Sequence, residues 1–173
     1  YHSIKYPLEG VPGFENCMCG ISTDISDLER ASRKLKERVK ELRCLYNVSS
    51  LGEYENSIDE LLQEAVEYIP EGFQYPEIAE ASIGFDGNTY TTKYYQGKPD
   101  GISSKDRKVN NANLHIKVIY SKGNIAFEAD EFLEEEQKLI DNIANTLSSK
   151  IDRILAQERL KESQRRWESL VQN

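Results

Sequence analysis

The amino-acid sequence predicts an α+β fold: an antiparallel sheet flanked by helices, with long N- and C-terminal helices built as coiled coils. Three observations carry this expectation. Apolar residues recur at spacings of three and four from Ile25 to Tyr46 and again from Leu133 to Ile154, the period of an amphipathic helix and of a heptad seam. Between them, Ala81-Ser82-Ile83-Gly84-Phe85 and Thr89-Tyr90-Thr91-Thr92-Lys93-Tyr94-Tyr95 flank the turn Asp86-Gly87-Asn88, which is a hairpin signal. Hydrophobic residues are 38% of the 173 and charged residues 30%. That balance suits a modest core with long solvated helices better than one large globule.

The elements follow in order. Residues 1–6 alternate as a strand that Pro7 stops, Gly10, Pro12 and Gly13 mark a turn, and Cys17-Met18-Cys19-Gly20-Ile21-Ser22 reads as a second strand. Two strands alone are marginal in water, so this end reads as the remainder of a truncated domain. Asp24-Ile25-Ser26 opens a helix, with Asp24 or Ser26 as its cap. Its seam is Ile25, Leu28, Ser32, Leu35, Val39, Leu42 and Tyr46. Both pairing with another helix and lying on its own domain fit that pattern. Residues 49–52 break it. Ser57 then starts a helix with Glu60 placed for a capping box, and Ile58, Leu61, Leu62, Ala65, Val66 and Ile69 form one apolar face before Pro70-Glu71-Gly72 ends it.

After the hairpin, residues 97–113 are polar and aperiodic, a loop of unusual length. Asn113 to Tyr120 alternates into a strand, and Gly123-Asn124 turns into a shorter one, Ile125-Ala126-Phe127. The last helix begins near Phe132. Leu133, Ile140, Leu147 and Ile154 lie seven apart, Ile143 or Ala144 and Ile151 fill the seam, and Glu134-Glu135-Glu136 reads as a solvated helix start. Beyond Ile154 the helix is too polar to be held by its own domain and reads as a linker. Trp167, Leu170 and Val171 turn apolar again.

Net charge is -8. An acidic chain repels phosphate backbones, and its best basic stretch, Ser104-Lys105-Asp106-Arg107-Lys108, is short and carries its own acid, so nucleic acid is not an expected partner. Three cysteines, Cys17, Cys19 and Cys44, argue against a disulfide scaffold and for a reducing, cytoplasmic compartment. No apolar run approaches the ~20 residues of a bilayer span, so no membrane contact is expected. The chain starts at Tyr1 without a visible signal peptide, which reads as a piece of a longer polypeptide.

Ile4-Lys5-Tyr6-Pro7-Leu8, Gly13 and Gly20-Ile21-Ser22-Thr23-Asp24-Ile25-Ser26 together resemble the end of a PAS domain. There a Pro-Leu follows one strand, the last strand ends in Gly-Ile, and an Asp-Ile-Thr/Ser motif passes into a signalling helix. The helix from Leu35 to Tyr46, the Ile58 to Pro70 helix and Gln74-Tyr75-Pro76 resemble a compact GAF-like domain of the kind found between PAS domains in archaeal and bacterial sensor histidine kinases. Residues 159–171 are similar to the lead-in helix of a following PAS domain. The resemblance implies residues 1–26 as the final strands of a truncated PAS domain and 27–50 as a signalling helix. It implies 51–152 as a GAF-like sensor domain and 153–173 as a linker helix. Where ligand-binding GAF domains build a pocket wall, this chain has only the polar segment 97–113.

The implied function is sensory relay in a two-component sensor histidine kinase. Its partners would be a second copy, paired in parallel through the helices, and the adjacent PAS and kinase domains. The seam residues expected to carry the signal are Leu28, Leu35, Val39, Leu42, Ile140, Leu147, Ile151 and Ile154. A ligand-free dimerisation spacer is the alternative. A small enzyme is disfavoured, because no Ser/His/Asp set or metal-ligand cluster is visible.

His2 and His115, both in predicted strands, are poorly placed to accept phosphate. Cys17 and Cys19 share one face of a strand but lack further ligands for zinc. Cys44 has Lys40 and Arg43 nearby, which favours a thiolate. Among related archaeal sensor kinases are haem-binding redox sensors in which a cysteine attaches the cofactor. By that resemblance Cys44 is the candidate haem- or thiol-redox residue.

Overall fold

The computed structural model describes residues 1–7, 12–13, 17–52, 57–97, 100–121 and 132–171. The expected turn at Gly123-Asn124 and the strand Ile125-Ala126-Phe127 lie outside them. The chain divides into two compact units, Tyr1–Arg38 and Val39–Asn173. Helix α1 (Ser26–Ser50) begins in the first and ends in the second.

In the first unit, β1 (His2–Pro7) pairs antiparallel with β2 (Met18–Thr23), with His2 opposite Thr23 and Ile4 opposite Ile21. Every residue of both strands is exposed, as expected of a ribbon with no second layer. Asp24 and Ile25 start α1. The Asp24 carboxylate accepts the Ser26 N–H at 2.9 Å, and the Ile25 carbonyl accepts the Glu29 N–H at 2.9 Å. The Ser26 hydrogen bonds hold the Asp24 carboxyl below its ordinary value.

The second unit is built on a five-stranded antiparallel sheet. Helix α2 (Ile58–Tyr68) opens on the expected capping box: Ser57 Oγ accepts the Glu60 N–H, and the Glu60 carboxylate accepts the Ser57 N–H. It passes through a 3-10 turn, Ile69–Gly72. Strand β3 (Ala79–Phe85), central and wholly buried, pairs with β4 (Asn88–Thr91) and with β7 (Ala112–Tyr120). The β3–β4 hairpin closes on Asp86-Gly87, both at positive φ (48° and 81°), the two-residue geometry that suits strand twist.

The polar segment read as a loop instead forms an edge. Strands β5 (Ile102–Ser103) and β6 (Arg107–Val109) lie end to end along β7. Between them Ser104 keeps the ladder going, its N–H donating to Ile116 O at 2.8 Å and its Oγ accepting the Ile116 N–H at 2.9 Å. The opposite edge uses the same device. β4 stops at Thr91, short of the Tyr95 expected, and Thr92 donates its N–H to Ala81 O while its Oγ1 accepts the Ala81 N–H. A side-chain hydroxyl replaces a ladder carbonyl where the chain turns away, so the buried N–H groups of Ala81 and Ile116 keep a partner.

Ile83 opposite Ile116, Ala81 opposite Val118 and Phe85 opposite Leu114 form the face of the sheet that packs on α2 and α3 (Glu134–Val171). Leu61, Leu62, Val66, Ile140, Ile143, Leu147 and Ile151 complete that core at zero exposure. On the other face the backbone at Gly101 closes on Ile119. A Cβ there would fall 2.7 Å from Ile119 Cγ2 and 2.4 Å from Val118 O. The segment before β5 thus covers a sheet residue that periodicity alone would leave to solvent. No described helix is long and apolar enough to cross a membrane.

Candidate functional site

The expected seam separates into two groups. On α1, Leu28, Leu35, Val39, Leu42 and Tyr46 are all 55–70% exposed. On α3, Ile140, Leu147 and Ile151 are fully buried and Ile154 is partly buried. The α3 residues expected to meet a partner helix lie in the chain's own core. Their period of seven is also a period the helix uses to face its own sheet, and that face packs on β6, β7 and α2. The α1 group has no such cover.

Helix α1 carries a second apolar face within the second unit. Cys44 and Val48 are fully buried in the core, whereas Val39, Leu42 and Tyr46 are exposed. At about 100° per residue these two groups lie on roughly opposite sides of the helix. The buried side is where Cys44 sits. Its thiol donates to Tyr68 O at 3.4 Å and approaches Ile69 O at 3.9 Å. Gly72 completes the enclosure, since a Cβ there would meet Leu139 Cδ2 at 2.7 Å and Cys44 Cβ at 2.9 Å. Burial first, and the Glu71 carboxylate second, push the thiol up to about 12. This reverses the expected thiolate. Arg43 is exposed and Lys40 donates to Gln74 O at 3.3 Å, while the sulfur itself is cut off from water.

The acidic run at the start of α3 also departs from expectation. Glu134 and Glu135 are exposed, but Glu136 is 4% exposed. One oxygen accepts the Gln74 N–H at 2.8 Å and the Tyr120 hydroxyl at 2.6 Å, and the other accepts the Leu133 N–H at 2.8 Å. The Tyr120 ring stacks on Phe132 and meets Tyr75 edge-on. Burial, then the bond to Glu136, push the Tyr120 phenol well above its ordinary value. One carboxylate thus fixes the first turn of α3 to the end of β7 and to the turn after α2. The spacing from Leu133 to Glu136 is the one sequence clue, since a Glu at the third helical position reaches back to the cap N–H.

A pocket of about 440 Å³ opens beside the β3–β4 turn, lined among others by Gly84, Asp86, Asn88, Asp106, Asn113 and His115. His115 is exposed. Its ring lies over Gly84, where a Cβ would fall 2.1 Å from Cε1. Among the described residues no group of three or more His, Cys, Asp or Glu is arranged to hold a metal. Cys17 and Cys19 are exposed and free.

No protein-family model, curated protein or solved structure matches this chain.

Proposed function

We propose that this chain is a signal-relay module that works as a pair, two copies meeting through the exposed face of α1. The observation that carries the reading is the second apolar face of that helix. A helix that serves only its own domain needs one apolar side. Here Cys44 and Val48 occupy that side, and Val39, Leu42 and Tyr46 face away from it. Leu28 and Leu35 continue the same heptad and are equally exposed. A seam that repeats every seven residues on a single helix is self-complementary, which favours a second copy as its occupant.

The relay would be mechanical. α1 enters the core only at its last turns, and α3 leaves it after Ile151, with residues 156–170 exposed. Each helix is part core element and part extension. A change in how two α1 helices pair therefore has a rigid path into the sheet unit and out along α3. The stretches resembling PAS and GAF-like domains support placing the module in a multi-domain two-component sensor histidine kinase, where flanking domains supply the signal and the catalysis.

Light scattering tests the pairing. The intact chain should run as a dimer and the Leu35→Asp/Leu42→Asp variant as a monomer. A wild-type monomer at every accessible concentration, or a variant of unchanged mass, refutes the reading.

A further inference from the structure

The end of α1 is held by the helix that leaves the domain. Its last turn contains no basic residue of its own, although the final carbonyls of a helix lack partners within it and sit at the negative end of its dipole. Ser49 and Ser50 satisfy two carbonyls in that turn with their hydroxyls, bonding Tyr46 O and Asn47 O. The chain then turns at Gly52, which adopts φ +72°. Just past the helix, the Leu51 and Gly52 carbonyls are taken by cations from α3, far along the sequence. Lys150 Nζ donates to Leu51 O at 2.5 Å, and Arg153 Nη2 donates to Gly52 O at 3.2 Å.

Lys150 and Arg153 are three residues apart, so they stand one above the other on the same side of α3. Ile151, between them in sequence, and Leu147, one turn before, are fully buried. Val48 and Leu51, at the end of α1, belong to the same hydrophobic cluster. The cations therefore sit at the margin of the core, aimed at consecutive carbonyls, on a stretch of α3 whose other side is buried. A little further along, Arg159 donates to the side chain of Asn110 in the β6–β7 turn, which steadies the exit of α3.

We propose that Lys150 and Arg153 form a joint that couples the end of α1 directly to the exit of α3, so that movement of one helix reaches the other without passing through the sheet. The joint gives the relay reading its route and rests on that reading only for the direction of the signal. Consecutive carbonyls facing an ammonium and a forked guanidinium offer more than one pairing. A turn or slide of α1 would exchange partners at the joint and reposition α3.

Hydrogen exchange on the intact chain tests this. Lys150→Met/Arg153→Gln keeps much of each aliphatic stem and removes both charges. In this variant, exchange at residues 46–52 should quicken by about tenfold, while Ile83 and Ile116 in the sheet keep their protection. In the wild-type background Leu42→Asp should alter exchange at residues 151–160, and in the joint variant that effect should vanish. Unchanged exchange at the end of α1 in the joint variant or, in a dimeric wild type, no response of α3 to Leu42→Asp or an equal response in both backgrounds would each overturn the proposal. If the double variant does not fold, Arg153→Gln alone, at an exposed side chain, should lose coupling and Lys150→Arg should retain it, which carries the same comparison. Mass by light scattering is read alongside. A monomeric wild type defeats the pairing reading while leaving the exchange result to decide the joint.

Discussion

Leu147 and Leu35 occupy equivalent positions in two heptads, yet the structure assigns them opposite consequences. Leu147 is fully buried. Truncating it to alanine removes buried methylenes and leaves a cavity between α3 and the sheet, which costs about 2–5 kcal/mol. At roughly 2–4 °C per kcal/mol for a chain of this size, the midpoint of thermal unfolding should fall by about 4–20 °C. Leu35 is 67% exposed. Leu35→Asp removes little buried surface from a single copy, and its helix-propensity cost is no more than about 0.7 kcal/mol. Its effect should appear in association instead. The assay is thermal unfolding at low concentration beside light scattering at high concentration, for both variants. Leu147→Ala should lose stability and Leu35→Asp should lose mass. A stable Leu147→Ala that is monomeric would return Leu147 to an intermolecular seam and refute the division of the helices made here.

Two glycines give a second contrast. Gly72→Ala forces a methyl against Leu139 and Cys44 within a closed core and should cost about 1–3 kcal/mol by chemical denaturation. Gly84→Ala first meets the ring of exposed His115, which can swing aside, so its stability should stay within about 0.5 kcal/mol of wild type. Under a thiol reagent, Cys17 and Cys19 should react at once, and Cys44 only on unfolding. A fast third thiol would contradict its burial. Because the Cys44 thiol is raised to about 12 from 9.0, the unfolded chain releases that proton first. Its contribution is complete below pH 9 and is lost as pH rises towards 12, at about 1.4 kcal/mol per pH unit. Cys44→Ala should flatten the alkaline arm of a stability–pH curve, and an unaltered slope would count against the assignment. In a parallel pair the Val39–Leu42 seam brings Arg38 of one copy opposite Arg43 of the other, so dimer affinity should rise with salt. Affinity that falls with salt would point to an antiparallel pair, in which Glu29 faces Arg43.

The sequence was most legible where one residue type has one job. Ser57 and Glu60 announced a capping box and formed it, and Asp86-Gly87-Asn88 announced a turn, of which Asp86-Gly87 make the bend while Asn88 joins β4. The edge strands were hidden because β5 and β6 are short, and Lys105, Asp106 and Lys108 give them the polarity of a loop. Asn110-Asn111 was the missed signal. Both residues stand at positive φ (48° and 71°) between Val109 and Ala112, and asparagine accepts that conformation more readily than most side chains. Glu136 was hidden for a different reason. In a run of three acids nothing local separates the one that turns inward, and its partners Gln74 and Tyr120 are supplied by the tertiary fold.

The same limit explains the seam. A period of three and four states that a helix has an apolar side and leaves open what covers it. On α3 the sheet does so up to Ile151. Past that point Ala156, Leu160, Ser163, Trp167 and Leu170 continue the three–four rhythm. Counted at about 100° per residue, they fall on the side opposite Ile140, Leu147 and Ile151. Leu160, Trp167 and Leu170 are each more than 60% exposed. α3 thus changes its apolar side as it leaves the core, and α1 carries its exposed seam opposite Cys44 and Val48. In both helices the face turned from the sheet is apolar only where it can meet something outside the unit. A helix kept merely to finish a domain would be polar there, which is why the relay reading rests on these faces more than on any pocket.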